Sequence, residues 1–77
     1  MSRLPQLKAQ QVIRALEMLG FVFVRQKGSH AFYRHPTTRK TTIVPIHGGE
    51  DIDRSLLFSI LREIDVSVDE FLVSLNS

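Results

Sequence analysis

Apolar residues between positions 8 and 19 fall at Val12, Ile13, Leu16 and Leu19, the stripe of an amphipathic helix. Pro5 stands just ahead of this stretch, and Gly20 stands where a left-handed residue would close it. The pattern then changes. Residues 21–27 are rich in β-branched and aromatic side chains, which predicts a strand. Gly28 interrupts it, and Lys27-Gly28 is the expected hairpin turn. Residues 29–35 form a second predicted strand, stopped by Pro36, and residues 36–40 a second turn. Residues 41–46 make a third strand, with Pro45 at an edge or at the strand exit. His47-Gly48-Gly49 reads as a loop. Asp53 is placed to cap a helix with apolar positions Leu56, Leu57, Ile60, Leu61 and Ile64. Ser67 and Glu70 have capping-box spacing, opening a short helix with Phe71, Leu72 and Leu75 inward.

The alternation of a strand puts His30, Phe32 and Arg34 on one face and Ala31, Tyr33 and His35 on the other. One of Phe32 and Tyr33 is therefore core; Tyr33 is the preferred one, which leaves Phe32 free to stack on a base. Phe21, Phe23 and the helix leucines are assigned to the core. The order α-β-β-β-α with helices on one sheet face is an α+β two-layer sandwich, a three-stranded antiparallel sheet followed by a short C-terminal helix. It is also the order of the double-stranded RNA-binding-domain fold. Seventy-seven residues make one domain, 1–77.

Composition narrows the chemistry. There is no cysteine, hence no disulfide framework, thiolate metal site or thiol nucleophile. No apolar run approaches the ~20 residues of a membrane span, and residues 1–6 lack a signal-peptide core. These features are compatible with the cytoplasm. Net charge is +2 but uneven. Residues 21–49 hold Arg25, Lys27, Arg34, Arg39, Lys40 and all three histidines, with no acid, whereas residues 50–77 hold seven acids against Arg54 and Arg62. An acid-free basic segment points to a polyanionic partner or to a solvated charged face.

No carboxylate pair or phosphate-cradling glycine loop stands out, and Glu50, Asp51 and Asp53 are better explained by a helix start. His30, His35 and His47 are too widely spaced to predict a metal site; no metal or other cofactor is expected. The most informative run is Arg25-Gln26-Lys27-Gly28-Ser29-His30. It sets a hydroxyl and an imidazole beside a cation at a turn. Histidine, with an ordinary pKa near ~6.5, suits proton transfer at neutral pH. Lysine and arginine can hold a phosphodiester and stabilise charge developing on it. RNA carries its own nucleophile, the 2′-hydroxyl, so such a set could cleave RNA to a 2′,3′-cyclic phosphate and a 5′-hydroxyl. The competing reading is a histidine that merely bonds across a turn.

The chain resembles HicA-family toxins, the small mRNA interferases of type II toxin–antitoxin pairs. The resemblance runs through Leu19-Gly20-Phe21, the run from Val24 to His30, Phe32 to Pro36, Val44-Pro45-Ile46-His47-Gly48-Gly49, Leu57 to Arg62 and Val66 to Phe71. It implies a double-stranded RNA-binding-like fold and metal-independent, ribosome-independent mRNA cleavage. The family's Gly-Ser-His histidine matches His30. A HicB-type antitoxin would cover that histidine, and a higher-order toxin–antitoxin complex is compatible with the resemblance. Arg25, Lys27, Gly28, Ser29, Arg34, Arg39, Lys40 and His47 are the expected RNA contacts. Residues 50–55 are acidic where family members often carry lysines, and every phosphate left unmet for want of a lysine would lower the salt slope of binding by ~0.7–0.9. A non-enzymatic RNA-binding or antitoxin-binding module of the same fold is the alternative.

Overall fold

The computed structural model describes residues 3–77; Met1 and Ser2, the start of the segment read against a signal peptide, lie outside the described residues. The elements run β1 (Leu7–Lys8), α1 (Ala9–Met18), β2 (Val22–Lys27), β3 (His30–Arg34), β4 (Thr41–Pro45), β5 (Asp51–Ile52), α2 (Arg54–Ile64) and α3 (Val68–Leu75). Strands β2, β3 and β4 form an antiparallel sheet in chain order. The helices cover one of its faces, so the architecture is the α+β two-layer arrangement that the hydrophobic pattern predicts. Val12, Ala15 and Leu16 of α1, Leu57 and Leu61 of α2 and Phe71 of α3 meet Ala31, Tyr33 and Val44 of the sheet in one core. No helix among the described residues is long and apolar enough to cross a membrane.

The punctuation acts as its chemistry requires. Gly20 takes φ +99°. Its N–H donates to the Glu17 carbonyl, and Phe21 N–H donates to Leu16, the Schellman closure of α1. Asp53 accepts from Ser55 N–H at the start of α2, and the Ser55 hydroxyl and N–H together hold its carboxyl below the usual carboxylate range. Ser67 and Glu70 form the capping box of α3, in which Phe71 is buried and Leu72 and Leu75 half-buried.

Four details differ from the sequence expectation. Lys8 belongs to β1, not to the helix. Leu7 pairs with Ile52 and Lys8 with Asp51 in a second, two-stranded sheet. Leu7 and Ile52 are both buried, and a ladder that short leaves no periodic signal in the sequence. The hairpin turn is Gly28-Ser29 rather than Lys27-Gly28, because Lys27 pairs with His30. Gly28 has φ +58° and Ser29 has no positive φ, the signature of a type II′ turn with glycine first. Phe23 is not core: it is 54% exposed. The helices lie against β4, so β2 at the far edge extends beyond their cover, and Phe23 is left with an edge contact to the Tyr33 ring at 5.7 Å. Leu56 is also exposed, since it flanks the groove described below.

Candidate functional site

The site is built on the sheet face that the helices do not cover. Antiparallel partners share a face, and the register sets three rows there: Lys27, His30 and Pro45; Arg25, Phe32 and Ile43; Val22, Arg34 and Thr41. No acid occurs in these rows. A β-bulge between Phe23 and Arg25 makes the arrangement possible. Plain alternation would put Phe21, Phe23, Arg25 and Lys27 on the same side. With Val24 as the extra residue, Phe23 turns to the Tyr33 side, while Arg25 and Lys27 turn to the side of His30. The Arg25 guanidinium lies 5.0 Å from the Phe32 ring centroid, a cation–π contact that fixes the arginine over the half-buried aromatic. Tyr33 faces the helices and is buried, as expected. Burial, and secondarily the Glu17 charge, raises its phenol pKa above the ordinary 10.0.

His30 opens β3 directly after the turn and is exposed. Among the described residues, no hydrogen bond or ion pair engages its side chain. The backbone under it is fixed: Ser29 C=O accepts from Ile46 N–H at 2.6 Å, and the Gln26 amide donates to Gly28 C=O at 3.0 Å. A side chain at Gly28 would meet nothing within 4 Å. The positive φ, not crowding within the protein, therefore accounts for glycine there.

Beside His30 runs a groove of about 520 Å³ between the β4 edge and α2. His30, Ile43, Pro45 and His47 form one wall; Leu56, Ser59, Ile60 and Glu63 form the other. The groove brings His47 to His30. It also brings in Glu63, whose carboxylate accepts from the Thr42 hydroxyl at 2.8 Å. This helical wall was missed in the sequence, although Leu56, Ser59, Ile60 and Glu63 have the i, i+3, i+4, i+7 spacing of one helix face. The loop carrying His47 is fastened by Lys8, whose ammonium donates to Gly49 C=O at 2.7 Å and pairs with Asp51 at 3.1 Å.

Other predicted residues lie apart. Arg39 and Lys40 are in the β3–β4 turn, beyond Arg34, and four strand steps of about 3.3 Å separate Arg34 from His30. His35 is also at that end. Its Nδ1 accepts from Thr37 and Thr38 N–H at 3.1 and 3.2 Å, and its ring meets Phe21 edge-on at 5.1 Å. The three histidines thus divide into a pair on the groove and one built into a turn. Among the described residues, no group of three or more His, Asp or Glu side chains is arranged to hold a metal ion.

Comparison with known proteins places these features in a family. The family model described as the HicA toxin of bacterial toxin–antitoxin systems matches residues 9–66, from the start of α1 to just past α2. No curated protein matches the chain.

Proposed function

Since the chain belongs to the HicA toxin family of bacterial toxin–antitoxin systems, we propose that it is a metal-independent, ribosome-independent endoribonuclease that cleaves mRNA, with His30 taking the proton from the attacking 2′-hydroxyl. The observation that carries this reading is the exposed, unpartnered His30 imidazole on an acid-free sheet face shared with Arg25, Lys27 and Arg34. A phosphodiester lying across Lys27 and Arg25 would present its ribose to His30. Cations held in place before the reaction stabilise the negative charge that develops as O2′ attacks phosphorus. The 2′-hydroxyl supplies the nucleophile, so no metal-bound water is needed, and DNA is not a substrate. Phe32, half-buried under Arg25, offers a base a stacking surface. Arg39 and Lys40 extend the cationic track toward the far end of the strand.

An antitoxin of the HicB type is the proposed inhibitor. The face around His30 combines cations with exposed Val22 and Ile43, and a protein seated there would bury the histidine. The test is RNA cleavage in EDTA by the parent chain and by His30→Ala. The expected result is cleavage by the parent, ending in a 2′,3′-cyclic phosphate, and none by the variant, with identical circular dichroism spectra. Equal cleavage by both would remove His30 from the reaction. RNA binding without cleavage by either would favour the non-enzymatic module.

A further inference from the structure

Cleavage by this route needs two proton transfers, and one imidazole cannot make both in a single step. We propose that His47 is the general acid that protonates the departing 5′-oxygen; this inference rests on the ribonuclease reading above. His30 lies opposite Pro45 in the β3–β4 ladder, and the Ser29–Ile46 hydrogen bond carries the pairing one step further. His47 is the second residue past Pro45, just beyond the end of that ladder; continued alternation would make it the diagonal neighbour of His30, with side-chain roots about 7–8 Å apart. Two imidazoles rooted at that spacing can close on a phosphate from opposite sides. Both line the same groove, and both are exposed. Their surroundings divide the roles. Lys27 is the cross-strand neighbour of His30, whereas His47 stands outside that row; the Glu63 carboxylate lies in the groove that both histidines line and is held at its Thr42 end.

The step balances without any further reactant. The 2′-hydroxyl proton passes to His30, the O2′–phosphorus bond forms, the phosphorus–O5′ bond breaks, and a proton from His47 goes to O5′. The products are a 2′,3′-cyclic phosphate and a 5′-hydroxyl. His30 leaves the step protonated and His47 neutral, and exchange with water resets both.

The experiment exploits the leaving group. Once the cleavage site is mapped, one RNA is made with the natural 5′-oxygen there and another with sulfur in its place; a thiolate departs without being protonated. The parent, His30→Ala, His47→Ala and Glu63→Gln are assayed on both. His47→Ala is expected to slow cleavage of the oxygen substrate by about 10²–10⁴-fold, the usual worth of a positioned acid. On the sulfur substrate it should cut nearly as fast as the parent. His30→Ala should be slow on both. Equal slowing of both substrates by His47→Ala, or no slowing of either, overturns the proposal. So does a sulfur-rescued defect in Glu63→Gln instead. A parent that cuts neither RNA overturns the ribonuclease reading itself, a result distinct from failure of the His47 assignment alone. Because His47 is exposed in a loop, its alanine variant should keep the parent's thermal midpoint, which checks that the defect is chemical.

Discussion

On one side of β3, Ala31 and Tyr33 are closed off beneath three helices; on the other, His30, Phe32 and Arg34 stand toward solvent beside two edge strands. The same five residues supply both sides. The closed side holds the molecule together through apolar burial. The solvent side carries cations and a free imidazole that contribute little to folding, since exposed charges rarely do. Stability and candidate chemistry therefore occupy opposite faces of one strand, and each can be changed with little effect on the other.

The largest effect should come from the closed side. Phe71 is fully buried, and Phe71→Ala is expected to cost about 3–5 kcal/mol, much of the ~5–15 kcal/mol that holds a domain folded. Urea unfolding measures it, and a change below ~1 kcal/mol would mean that the helix layer is not the main source of stability. His30→Ala should do the opposite, with cleavage down by about 10²–10⁴-fold and stability within ~0.5 kcal/mol of the parent. If unfolding shows otherwise, the separation of faces fails.

The bulge offers a sharper test. Val24 is surplus to the β2–β3 ladder, so its deletion can leave every pair in place and should cost about 1 kcal/mol or less. Deleting Gln26 instead would carry Arg25 opposite Ala31 on the helix side and should cost several-fold more. Matching costs would sink the assignment of Val24 as the extra residue. Alkaline pH probes the closed face through Tyr33. The Tyr33 phenol pKa is raised in the folded state, so its contribution is complete below about pH 10 and is lost as pH rises through the folded value. Tyr33→Phe should flatten that alkaline decline. The smallest change is expected from Arg39→Ala with Lys40→Ala: cleavage within about two-fold, with the salt slope of RNA binding lowered by ~0.7 for each cation that met a phosphate.

Much of this was legible in the sequence because it is written in local chemistry. Gly20, Asp53, Ser67 and Glu70 announce helix ends through the hydrogen bonds that termini require. Alternation set Tyr33 and Phe32 on opposite faces and grouped Phe32 and Arg34 with His30; which face is inward was a preference, and Tyr33, the preferred residue, is the buried one. What was missed depends on partners distant in sequence. The β1–β5 ladder joins residues more than 40 positions apart. The extent of the helix layer decided that Phe23 stays exposed. A bulge changes which residues share a face without changing composition, so Arg25 could be named as a cation but not assigned to a side. The groove was hidden for the same reason, since half of it is contributed by α2.

The two groove histidines are held by supports of unequal depth. His30 belongs to a strand bonded on both flanks, whereas the His47 loop is tied down by a two-residue ladder and one lysine clamp. Short peripheral pairings open at far lower free energy than central strands. Amide hydrogen exchange should therefore run orders of magnitude faster at Gly48 and Gly49 than at Ala31 and Phe32. The interval between the imidazoles would then breathe while one of them stays put, and turnover would follow the fraction of time for which the loop is latched.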